Sequence, residues 1–171
     1  VTLVSGKVAI QTPAGVHIVP VVSAADMAEA VKAAAAEQDI IIKAAAVADY
    51  RPIETADEKM KKKDGELAVA LERTEDILAY LGAHRSKGQF ICGFSMETEH
   101  MLENSRAKLE KKKIDMIVAN NLRQEGAGFG TDTNVVTLLT KDETLELPIL
   151  SKEEVADRLL TFILDKCEKK F

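Results

Sequence analysis

The chain has no tryptophan, four prolines and only two cysteines, Cys92 and Cys167. Those two share neither a CxxC pair nor a metal-type spacing, which excludes a disulfide framework and a cysteine zinc site. They are expected to be free thiols in a reducing cytoplasm. No apolar run approaches the roughly 18–20 residues of a membrane-spanning helix, and no signal peptide is evident, so a soluble, cytoplasmic protein with no membrane partner is expected. His17, His84 and His100 show no HExxH spacing and no nucleophile elbow stands near them, which argues against a zinc hydrolase or a triad. Tyr50 and Tyr80 both lack a lysine four residues on, so the Tyr-x-x-x-Lys pair of a reductase is missing. The glycines at 126, 128 and 130 precede a strand-like run instead of opening a helix, and so match neither a dinucleotide fingerprint nor a P-loop. A formal charge of −5 disfavours general nucleic-acid binding, yet positive charge is bunched at 59–63 and 108–113, as suits a specific anion.

What is present is a 171-residue chain of 46% hydrophobic composition, enough for one domain with a substantial core. The hydrophobic pattern alternates between strand and helix. Residues 16–22 read as a short strand, and Ser23 with Asp26 forms a capping box opening a helix to about Gln38. Residues 39–46 read as a buried strand, completing a βαβ unit of a parallel sheet, whose ligand edge would lie at residues 46–52. An edge strand at 66–72, a helix from Thr74 or Asp76 to about His84, a strand at 89–95, a charged helix at 98–113 and a strand at 115–119 follow. Residues 134–139 and 144–147 read as a hairpin, expected as an antiparallel appendage. A second capping box, Ser151 with Glu154, opens a closing helix with an apolar stripe of Val155, Leu159, Phe162 and Ile163. Because Val1–Gly6 reads as a strand with no start signal before it, a preceding strand–loop–helix segment is expected to be missing.

Chemistry concentrates after residue 43. A small-sided run, Ala44–Ala48, ends in Asp49, and the lysines of 59–63 follow within reach. Alanines at a strand end let a flat or phosphorylated ligand approach the backbone, a carboxylate can hold a metal or a hydroxyl, and loop lysines can close over phosphate. The plainer reading is a packed strand, a turn-capping aspartate and a solvated loop. Phe94 is either core or a ring that stacks on a base. Lys108 and Lys112 are four apart on one helix face, suited either to the helix dipole or to one triphosphate. Asn120 and Asn121, after a strand, could bind a base or turn the chain.

Ala44–Pro52, Lys59 with Lys61 and Lys62, Thr74 with Asp76, Ile77 and Leu78, Gly93-Phe94 with Glu97-Thr98, Lys108 with Lys112 and Asp115, Val118–Asn121, and the glycine-rich run 126–134 occur in one order. Together they closely resemble phosphopantothenoylcysteine synthetase, over nearly the whole chain. The resemblance implies a Rossmann-like α/β fold, with a mostly parallel sheet and flanking helices. It also implies a homodimer, commonly fused to a flavin-dependent decarboxylase in coenzyme A synthesis. The activity it implies is a ligation in two steps with Mg2+: 4′-phosphopantothenate attacks the α-phosphate of CTP, releasing pyrophosphate, and the amine of L-cysteine then displaces CMP. CTP contacts carried over by motif position fall on Ala45, Asp49, Lys59, the turn Glu75-Asp76-Ile77-Leu78, Phe94, Lys108 and Lys112. Asp49 would serve the metal or ribose side, Phe94 would face cytosine, and Lys59 would act in turnover of the acyl cytidylate. Glu75 stands where the family commonly has proline, and the family's glycine-rich opening segment with its asparagine has no counterpart here. An NAD(P) oxidoreductase and a non-catalytic nucleotide-binding or assembly domain are the competing readings.

Overall fold

A computed structural model describes residues 1–54, 56, 58, 68–97, 100–121 and 130–168, with the side chains of 97 and 121 left aside. The chain divides into two compact units, Val1–Ala33 with Ala46–Asp76, and Ala34–Ala45 with Ile77–Phe171.

In the first unit, β1 (Thr2–Ser5) and β2 (His17–Pro20) pair in parallel, and β4 (Tyr50–Pro52) pairs antiparallel with β5 (Leu71–Arg73). Helix α1 (Ala24–Ala35) starts where the capping box places it: Ser23 Oγ accepts the Asp26 N–H at 3.1 Å, and the Asp26 carboxylate accepts the Ser23 N–H at 2.8 Å. That satisfies two of the donors a helix start leaves orphaned. The donated bonds from Ser23 hold the Asp26 carboxyl below its ordinary value.

The second unit is built on a five-stranded sheet in the order β10-β9-β7-β6-β3. Strands β3 (Ile40–Lys43), β6 (Phe90–Glu97) and β7 (Met116–Asn121) are parallel, joined by α2 (Ile77–Ala83) and α3 (Met101–Lys112). Thus the parallel crossovers run from β3 to β6 and from β6 to β7. Within their own units, β2 pairs with β1 and β3 with β6. Local periodicity identifies strands, but the choice of partner is non-local and leaves no period in the sequence.

The hairpin is present as β9 (Val136–Thr140) and β10 (Thr144–Glu146), but it is not an appendage. β9 is buried along its whole length and pairs antiparallel with β7, so it extends the central sheet. A further short pair, β8 (Thr133–Asn134) with β11 (Leu150–Ser151), leads into α4 (Lys152–Glu168). The stripe of α4, Val155, Leu159, Phe162 and Ile163, packs on Phe90, Cys92, Met116, Val118, Val136 and Leu138. Burying side chains of this size is worth about 1.5–3 kcal/mol each relative to exposure.

Two glycines set how closely the layers approach. A Cβ on Gly93 of β6 would lie 2.3 Å from a Leu78 methyl of α2, and one on Gly82 of α2 would lie 1.8 Å from the Lys112 carbonyl oxygen of α3. Both separations are far inside van der Waals contact, so only hydrogen fits at either place.

Candidate functional site

In the first unit the segments around Asp49 and Glu75 are stitched together by Thr74. Its N–H donates to the Asp49 carbonyl at 3.0 Å, and its hydroxyl donates to the Ala48 carbonyl. Asp49 is exposed, as are Glu75 and Asp76. Glu75, the residue that departs from the family pattern, is paired: Lys32 Nζ of α1 lies 2.6 Å from its carboxylate. This partner raises the Lys32 pKa, above all through the hydrogen bond to Glu75. Alongside lies an open cleft of about 330 Å³ lined by Ala24, Ala28, Arg51, Arg73, Thr74 and Glu75 among others. Arg51 pairs with Glu72 at 2.7 Å, and the Arg73 guanidinium sits 5.7 Å from the Tyr50 ring centroid.

In the second unit β3 ends at Lys43, and the alanines beyond it, Ala44 and Ala45, are exposed. The packed-strand alternative is therefore not what forms at these positions. Lys43 Nζ reaches over to donate to the Ala45 carbonyl at 2.7 Å, a contact the sequence reading did not anticipate. Ile77 and Leu78 are buried in the first turn of α2, so what this turn can offer a ligand is backbone and not side chain. Phe94 is half-buried in the middle of β6, packed against the sheet–α4 core on one side.

Lys108 and Lys112 are both half-buried on α3. The helix is tied to β6 by a buried hydroxyl pair, Ser95 Oγ and Ser105 Oγ at 3.1 Å. It ends in a left-handed Lys113 (φ 53°), whose N–H returns to Glu110 and Leu109 carbonyls. Of the predicted site residues, Ala45, Ile77, Leu78, Phe94, Lys108 and Lys112 belong to the second unit, and Asp49, Glu75 and Asp76 to the first. Lys59 and the 126–129 glycines lie outside the described residues.

Several residues prove structural. His84 stacks on Tyr80 at 4.1 Å between centroids and shares a 2.9 Å hydrogen bond with the Tyr80 carbonyl. Burial, with the Asp115 charge second, pushes the Cys92 thiol up to about 12, so it is no nucleophile. Asp115 takes the Arg85 guanidinium at 2.8 Å and the Ile91 N–H at 2.9 Å, which locks the start of β6. Among the described residues no three His, Cys, Asp or Glu side chains converge on a metal, and no helix is long and apolar enough to cross a membrane.

The class the fold defines is a mixed α/β protein with a mostly parallel sheet, here carrying exposed alanines beyond β3, an aromatic ring within β6 and a lysine pair on the following helix. The chain belongs to the DNA/pantothenate metabolism flavoprotein C-terminal domain family, matched over residues 1–166. It is 48% identical over 162 residues to the coenzyme A biosynthesis bifunctional protein CoaBC of Bacillus subtilis (strain 168), a match that takes in 94% of this chain and 40% of that protein. The chain thus spans well under half the length of that relative. The crystal structure of the C-terminal domain of a CoaBC protein is similar at TM-score 0.81 and 44% identity, covering 98% of this chain and 76% of the other. A Cab2 mutant solved in complex with phosphopantothenate-cysteine shares the fold at TM-score 0.71 and 18% identity, over 91% of this chain and 55% of that one.

Proposed function

We propose that this chain carries the phosphopantothenate–cysteine ligase step of coenzyme A biosynthesis, with CTP as the activating nucleotide. The observation that carries the proposal is the family membership, joined to the exposed alanines beyond β3, the ring of β6 and the lysine pair of α3 that the family motifs single out. The name of the Bacillus relative and the ligand of the Cab2 complex support the same pathway and product.

In the ligation, a carboxylate oxygen of 4′-phosphopantothenate attacks the α-phosphorus of CTP and pyrophosphate leaves. The amine of L-cysteine then attacks the acyl carbon of the mixed anhydride, CMP leaves, and the amine loses a proton. The protein's share is alignment and charge neutralisation. Phe94 offers its face to the cytosine, the backbone of the Glu75–Leu78 turn its edge, and Ala45 an exposed backbone N–H beside a small side chain, its carbonyl already accepting from Lys43. Lys108 and Lys112 neutralise the phosphates, and Lys59 stabilises charge as CMP leaves.

Asp49, an exposed carboxylate, fits Mg2+, which is commonly held by one or two carboxylates with the remaining positions filled by water and phosphate oxygens. When bound, the ion would screen the phosphates against the incoming carboxylate. A homodimer, fusion to a flavin-dependent decarboxylase and a cytoplasmic setting complete the reading.

Calorimetric titration of the chain with CTP, ATP and NADPH in the presence of magnesium tests the nucleotide half of this reading. Selective CTP binding is expected. NADPH binding in its place would favour the oxidoreductase.

A further inference from the structure

The carboxyl end of β7 holds an asparagine pair whose polarity is fixed by its own hydrogen bonds. The Val135 N–H donates to Asn134 Oδ1 at 2.9 Å, so the amide oxygen of Asn134 is committed to the backbone. Its Nδ2 is then the atom that faces Asn120, and it donates to Asn120 Oδ1 at 3.1 Å. Amide orientation is settled by such networks, not by atom shape. Here a backbone donor at one end decides both side chains. Asn120 is therefore held with its oxygen toward Asn134 and its Nδ2 hydrogens turned the other way.

Asn120 also stands beside the candidate base-stacking ring. In the parallel register Phe94 pairs with Val118 and Met96 with Asn120. Paired positions, and positions two apart, share a sheet face. Phe94 and Val118 both pack into the core beneath α4, which fixes the face, and Asn120 follows on it one step nearer the carboxyl edge. Asn120 is itself half-buried, where a hydrogen bond is less diluted by water.

We propose that Asn120, oriented by Asn134, is a specificity-determining residue that donates to the acceptor edge of a pyrimidine base lying against Phe94. This rests on the nucleotide reading above. Cytosine presents acceptors at both O2 and N3, whereas uracil carries a hydrogen at N3. An amide locked as a donor toward N3 therefore accepts CTP and opposes UTP, whose N3–H would meet it. An amide able to turn over would accommodate either.

The test is the ratio of UTP to CTP dissociation constants, measured by calorimetry on the intact chain and on Asn134→Asp. That substitution keeps the acceptor for the Val135 N–H but replaces the donor to Asn120 by an acceptor. It should draw Asn120 Nδ2 inward and turn Oδ1 toward the ligand. The added charge opposes both nucleotides alike and cancels in the ratio. The wild-type chain should prefer CTP by at least about tenfold, the scale of one well-made hydrogen bond. Asn134→Asp should move the ratio about tenfold toward UTP, and Asn134→Ala, which frees Asn120 to turn, should bring it close to one. Thermal melts followed by circular dichroism confirm folding, and Asn120→Ala, with its expected loss of discrimination, carries the test should either Asn134 variant fail to fold. An unchanged ratio in folded variants overturns the proposal, as does a wild-type chain that binds both nucleotides equally. A wild-type chain that binds neither overturns the nucleotide reading itself.

Discussion

Leu78 lies so close over Gly93 that a single added methyl on the glycine would come within 2.3 Å of a leucine methyl carbon. This contact seats the first turn of α2 on β6, next to Phe94. Gly93→Ala should destabilise the fold by about 1–3 kcal/mol through overpacking, read as a lower urea midpoint, and Leu78→Ala added to it should recover part of the loss. Gly82→Ala should be at least as damaging, because its obstacle is the Lys112 backbone, which cannot rotate aside. A wild-type midpoint in Gly93→Ala would mean that α2 is free to shift.

In the proposed reading Lys108 and Lys112 hold the outer phosphates. Replacing both by alanine should weaken CTP by about tenfold or more, on the scale of charge-assisted contacts, and CMP far less. Equal weakening of the two nucleotides would leave the lysines as a solvated helix face.

Lys59→Gln should leave CTP affinity nearly intact while amide formation stops. Ligation at the wild-type rate in that variant removes Lys59 from the mechanism.

Lys113 holds a left-handed conformation at the end of α3, with φ 53°. An L side chain there costs about 1–2 kcal/mol that glycine does not, offset in part by the greater unfolded-state entropy of glycine. Lys113→Gly should raise stability by about 0.5–1 kcal/mol, visible as an increase in Tm.

The caps of α1 and α4 carry a pH dependence. Hydrogen bonds from Ser23 hold the Asp26 carboxyl low, and hydrogen bonds from Ser151 do the same to Glu154. A carboxylate whose folded pKa is depressed stabilises fully above its unfolded value, and the contribution fades as pH falls through the folded value. Ser151→Ala should therefore lower Tm at neutral pH, and the gap to wild type should narrow on acidification below the ordinary carboxylate range, leaving the part that comes from the Glu154 N–H bond to Ser151 Oγ. A gap independent of pH would show that the cap works without its charge.

The capping boxes at Ser23 and Ser151 and the apolar stripe of α4 were legible because they are local: a hydroxyl, a carboxylate and a 3.6-residue period suffice. Strand partners were not. The two alternating runs at 134–147 announce a hairpin, but nothing in their period tells that β9 lies buried against β7 instead of standing apart. The candidate site was a set of motifs in the sequence. Its supports were not: the Lys32–Glu75 pair, the Ser95–Ser105 hydroxyl bond and the Asn134–Asn120 bond join residues 43, 10 and 14 positions apart, beyond any local pattern. Glu75 shows the consequence most plainly. Read alone it is an intrusive charge at a base-reading turn, whereas in the fold its carboxylate is already engaged by Lys32.

The most direct test of the ligase assignment is product analysis in the chain extended to the length of its CoaBC relatives, supplied with 4′-phosphopantothenate, L-cysteine, magnesium and either CTP or ATP. The account predicts phosphopantothenoylcysteine with CTP, accompanied by one CMP and one pyrophosphate per amide formed, and much less product with ATP. CTP left unconsumed by a folded protein that has all three substrates would contradict it.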